Sequence, residues 1–207
     1  MQMFSKKHQD EKDEVLQAMK SMRYFLPFQH PAFRFSLTIE GYQKWHFGCR
    51  AGPEYHIKNL FHELGHAVDF GPENFKTRVR CGYLRFSCRN RITVCGEKYD
   101  EPRTIEATLR EVRAIAYQMI LLRLAGYRVD EEEMVSDFVA ALAHVMDHLN
   151  VLHRFGEAWK TTLEKKVWKL VEETDSDWVM DRLLGWLDRT QKSRSFKEME
   201  KSMLEAS

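Results

Sequence analysis

No apolar run in the 207-residue chain approaches the ~20 residues that a bilayer-spanning helix needs. The opening stretch, MQMFSKKHQDEKDEVLQ, is too charged to work as a secretory signal. An excess of either charge is also missing. Lys and Arg number 32 against 31 Asp and Glu, a formal net charge of +1, so nothing pulls the whole molecule toward nucleic acid or a membrane surface. Cysteine is scarce, with Cys49, Cys81, Cys88 and Cys95 forming no CxxC pair. That spacing argues against a structural zinc knuckle and leaves reduced thiols as the expectation. Internal repeats and low-complexity tracts are absent too. A cytoplasmic protein with no membrane segment is expected.

What is present is core-forming material. Hydrophobic residues make up 43% and aromatics 12%, enough for one domain with an appendage. We read residues 1–155 as the main domain and 156–207 as a helical extension packed on it. Along the chain, residues 9–25 predict a helix ending before Pro27. FRFSLTI (33–39) and YQKWHFG (42–48) alternate like hairpin strands, and TRVRCGYLRFSCRNRITVCG (77–96) predicts two or three more. Helices are predicted from near Glu54 to Phe70, from Pro102 to Gly126, and from Asp130 to about Leu152. Two further helices follow, the second capped by Asp175 or Ser176. Trp159, Trp168 and Trp178 are expected to pack these helices on the core. The fold class expected is α+β: a small sheet, a motif helix and a mostly helical C-terminal part.

One stretch carries chemistry. LFHELGHAVDF (60–70) places His62 and His66 four residues apart, about one helical turn, so both imidazoles leave the same face. That spacing suits two ligands of one divalent metal. Glu63, beside the first ligand, is placed to act on a water as the catalytic base. Ile57, Leu60, Phe61, Leu64 and Val68 line the opposite face and can anchor the helix in the core. Gly65 leaves room for another element to come close. The alternative reading is a charged surface turn with no metal.

Two histidines hold a metal weakly, and catalytic sites usually take three protein ligands. Glu106 and Glu111 both lie on the downstream helix. Ala107, Thr108, Ala114 and Ile115 surround Glu111 with small or apolar side chains, which suits close packing against another helix. Glu106 shares its row with Arg110 and Arg113 and reads as solvated. Glu111 is favoured as third ligand. Asp69, one turn beyond His66, suits holding that ring's far nitrogen, or else it is an ordinary helix-end carboxylate. His144 and His148, with Asp147 between them, form a second spaced pair, read as solvated in preference to metal-binding. Tyr83 and Tyr117 are candidate donors to an oxyanion, and His46 and His56 candidate neighbours of the cleft. The basic run from Lys76 to Arg91 reads as a solvated face rather than a nucleic-acid site.

HELGH followed by a distant helical glutamate resembles the gluzincin group of zincin metallopeptidases. The resemblance implies zinc on His62, His66 and Glu111, with Glu63 polarising the attacking water. EVRAIAYQMILLRLAGY (111–127), with CGYL (81–84) upstream, also resembles the zincin-like elongation factor P hydroxylase family, which implies iron(II) on the same three ligands. The expected function is therefore metal-dependent peptide-bond hydrolysis on a protein or peptide substrate. An iron-dependent protein hydroxylase and a non-catalytic, metal-stabilised binding module are the alternatives.

Overall fold

In the computed structural model, the residues described are 17, 20–30, 53–74, 85–87, 91–93, 101–148 and 156–192. Among these residues five helices carry the architecture. They are α1 (Pro53–Phe70), α2 (Glu101–Leu124), α3 (Glu131–His148), α4 (Trp159–Glu173) and α5 (Ser176–Gln191). Short 3-10 turns cover Leu26–Gln29 and Pro72–Asn74.

Helix α2 sits at the centre and packs against α1, α3, α4 and α5. Its sequence explains this position. From Ala114 to Leu122 the stretch AIAYQMILL is buried on every side, as expected for a helix apolar all round. The amphipathic α1 turns Ile57, Leu60, Phe61, Leu64 and Val68 inward, each no more than 4% exposed. Phe61 meets Phe25 and Phe28 at ring separations of 5.5 and 5.8 Å, which ties the N-terminal turn to this helix. The α1–α2 crossing is unusually close. A Cβ built on Gly65 would come within 2.2 Å of the Ala114 carbonyl oxygen, so only glycine permits this approach.

The helix ends follow local chemistry. After α2, Tyr127 N–H donates to Leu122 O and Gly126 N–H to Arg123 O, both at 3.0 Å, closing a Schellman turn. Asp130 caps α3 by accepting from Glu133 N–H at 2.9 Å. Asp175, not Ser176, caps α5, accepting from Trp178 N–H at 2.8 Å. At the end of α1 the cap comes from far along the chain. Arg182 of α5 donates to Val68 O at 2.8 Å and Asp69 O at 3.3 Å, and pairs with Glu73 at 2.6 Å. Gly71, at φ +63°, makes space for it: a Cβ there would meet the guanidinium at 2.0 Å.

The α+β expectation is corrected. The described residues are overwhelmingly helical, and extended structure among them is limited to a two-stranded hairpin, Arg85–Ser87 paired antiparallel with Arg91–Thr93. No sheet layer underlies the helices there, because their apolar faces are already buried against one another. Within 77–96 the described residues form two strands of three residues each, too little to form a layer alone. The strands expected at 33–39 and 42–48, and the four cysteines, lie outside the described residues. Trp159 and Trp168 pack on the core as expected, whereas Trp178 is 42% exposed and carries the Arg182 guanidinium over its ring at 4.8 Å. Among the described residues no helix is long and apolar enough to cross a membrane.

Candidate metal centre

The close crossing of α1 and α2 brings together groups that are 45 or more residues apart in sequence. His62 Nε2 lies 3.1 Å from Glu111 Oε2, and His66 Nε2 lies 3.3 Å from the same oxygen. One ligand atom from each of His62, His66 and Glu111 falls within 4.8 Å of the others. Bonds of ~2.0 Å at tetrahedral angles put neighbouring ligand atoms ~3.3 Å apart. An octahedral site with similar bonds gives ~2.9 Å. The two His–Glu distances match these values and the third pair lies within 4.8 Å, so two imidazoles and one carboxylate could hold a single divalent ion. Glu106, one turn and a half earlier on α2, points elsewhere: it is exposed and pairs with Arg110 at 3.2 Å and Arg113 at 2.9 Å.

The surroundings are largely buried and electrostatically polarised. The side chains of His62, His66 and Glu111 are 13%, 9% and 24% exposed. Burial pushes the Glu111 carboxyl upward, but the charge of His66 and hydrogen bonding to both rings outweigh it and hold the group far below the usual carboxylate range. Burial likewise lowers His62, yet the Glu111 contact, the Glu63 charge and the Gln118 side chain together raise its proton affinity above the ordinary histidine value. Both shifts favour an anionic carboxylate with positive charge held between the side chains. The His62 ring stacks on Phe138 of α3, with centroids 4.9 Å apart and planes 21° apart. It meets His66 edge-on at 4.7 Å.

Glu63 follows His62 directly on α1 and is half-buried, close enough for its charge to act on that ring. The partner found for Asp69 is Arg113 of α2, which donates to it from both Nε and Nη2. This pair closes the α1–α2 crossing beyond the histidines, a role its sequence position alone does not reveal. Tyr117 is buried, and burial together with the Asp69 charge pushes its hydroxyl above the usual tyrosine range. His144 and His148 fall on the last turns of α3, and their side chains lie outside the described residues, as do Tyr83, His46 and the side chain of His56.

Sequence reasoning passed over Phe138, Arg113 and Gln118. Gln118 carries the one sequence signal that could have exposed it: an amide inside the otherwise apolar run AIAYQMILL, two turns after Glu111. Comparison of the chain with known protein families, with curated proteins and with solved structures yields no match.

Proposed function

We propose that the protein is a metal-dependent hydrolase of peptide bonds, with His62, His66 and Glu111 as metal ligands and Glu63 as base. The observation that carries this reading is the convergence of both histidines on one oxygen of Glu111, at 3.1 and 3.3 Å. Three protein ligands, the number supplied among the described residues, is the ligand count of catalytic centres. When bound there, a divalent ion supplies Lewis acidity toward a carbonyl oxygen and makes a water easier to deprotonate. The chain's own residues do the remainder. Glu63 takes the proton of the attacking water and returns it to the departing amine nitrogen. Phe138 and the apolar rows of α1 and α2 keep bulk solvent off the ligand set, which strengthens each charge interaction inside it.

The same distances also suit an octahedral two-histidine, one-carboxylate iron(II) site, which favours oxygen-dependent protein hydroxylation as the second reading. Elemental analysis of the purified protein, with peptide-library turnover measured in air and without oxygen, separates the two. Zinc with anaerobic cleavage supports hydrolysis, and iron with an oxygen requirement replaces it with hydroxylation. Metal-dependent folding without turnover on any peptide points to a binding module instead. Glu63→Gln is expected to keep the metal and lose turnover by about 100-fold or more. Retained activity in that variant removes Glu63 as the base.

A further inference from the structure

Two buried side-chain atoms among the described residues have no hydrogen-bond partner: Nδ1 of His62 and Oε1 of Gln118. They are of complementary kind. An imidazole Nδ1 can donate, and an amide oxygen can only accept. Leaving either buried group unpaired is unfavourable.

The packing of α2 on α1 sets Gln118 against the turn of α1 that precedes His62. Gln118 is fully buried on α2, and positions 111, 115 and 118 form one stripe of that helix, so Glu111 and Gln118 share a face. The Gln118 amide nitrogen donates to Lys58 O at 2.7 Å and lies 3.6 Å from Met134 Sδ. Lys58 is one turn before His62 on α1, so this anchor holds the amide alongside the helical turn that carries His62. With the nitrogen committed to the Lys58 carbonyl, the oxygen is the free end of the amide.

From this placement we infer that Gln118 is a positioning residue for the centre: its amide oxygen takes the Nδ1 proton of His62 and leaves the Nε2 lone pair facing the ion. The inference deepens the reading of His62, His66 and Glu111 as a metal site and rests on it. Metal-ligating histidines usually need such an acceptor behind them, because it fixes both the tautomer and the ring rotation. Here stacking on Phe138 sets the ring plane, and Gln118 sets which nitrogen carries the proton. A neutral acceptor also has a chemical consequence. A carboxylate in that place would add negative charge and soften the ion's pull on a carbonyl oxygen. An amide orients the ring without that cost.

Two readouts test this on the full chain. The first is 1H–15N NMR of histidine-labelled protein without added metal, at acidic pH where His62 carries a proton on each ring nitrogen and Nε2–H donates to Glu111. Wild type is expected to show a downfield-shifted, hydrogen-bonded Nδ1–H of His62. Gln118→Met, which keeps the volume and removes the acceptor, is expected to move that Nδ1–H resonance upfield. The second is Zn2+ affinity by chelator competition. Gln118→Met is expected to weaken binding by about 10- to 100-fold, and Gln118→Glu, which retains an acceptor oxygen, to recover most of that loss. Circular dichroism of each variant establishes that the helices are intact, and a Met variant that unfolds leaves the wild-type Nδ1–H resonance and the Glu variant to decide. A His62 Nδ1–H with no hydrogen-bond shift in wild type, or a folded Met variant with unchanged Nδ1–H resonance and affinity, overturns the assignment. If the protein binds no Zn2+ but shows the predicted Nδ1–H resonance and its shift, the metal reading fails while the Gln118–His62 contact stands.

Discussion

Glu106 and Glu111 lie five residues apart on α2 and meet opposite surroundings. Glu106 is exposed and shared between Arg110 and Arg113, and surface ion pairs of this kind contribute well under 1 kcal/mol. Glu111 is enclosed by two imidazoles and apolar neighbours. Glu111→Ala is therefore expected to reduce bound metal from one ion per chain to near none by elemental analysis, and Glu106→Ala to leave it unchanged. Equal metal content in the two variants sinks the assignment. This difference was legible in the sequence, because it depends on neighbours three and four positions away along one helix. The partners of the two histidines were not. Phe138 and Gln118 reach His62, and Arg113 reaches Asp69, only once α2 and α3 are packed on α1, and nothing within one turn of His62 announces them.

The pairing of α1 with α2 depends on Gly65. Adding one methyl group there forces the Ala114 carbonyl away from a 2.2 Å contact with backbone, which cannot rotate aside. Gly65→Ala is expected to cost about 1–3 kcal/mol of stability in urea unfolding and to weaken metal binding, since the same crossing sets the His–Glu distances. The turn between α2 and α3 makes a different prediction. Arg123 donates twice to Glu131, both at 2.7 Å, and this hydrogen bonding holds the Glu131 carboxyl below its ordinary value. A depressed carboxylate contributes stability that is complete above its unfolded value of 4.5 and fades as pH falls through the folded value. Glu131→Gln should therefore lower stability at pH 7 by less than 1 kcal/mol, given the exposure of the pair. The gap from wild type should close in acid, as read from denaturation midpoints at pH 7 and pH 3. Helices of this kind were readable because apolar rows and stop signals such as Gly71-Pro72 are local. That the described residues carry no sheet layer beneath the helices was not readable. Alternation predicts that a strand can form, but whether it finds partners depends on whether the helices leave an apolar face uncovered.

At the scale of the molecule, the appended C-terminal helices belong to the same unit as the motif helix. Arg182 of α5 caps the last turn of α1, so the segment read from sequence as an extension supports the helix bearing both histidines. Metal binding is accordingly expected to stabilise the whole helical assembly rather than one corner of it. Zn2+ at 100 times its dissociation constant should add about 2.7 kcal/mol, visible as a rise in the thermal midpoint. A midpoint unmoved by Zn2+ counts against a site built from folded α1 and α2. The crossing at Gly65 adds a selectivity that neither helix has alone. Main chain already rests on main chain there, so the aperture between imidazoles and carboxylate is fixed by the skeleton. A larger cation such as Ca2+, with bonds of ~2.3–2.6 Å, would have to pry the helices apart and wet their apolar seam. On the proposed metal reading the chain discriminates among ions by radius before ligand preference enters, and millimolar Ca2+ should leave Zn2+ occupancy untouched.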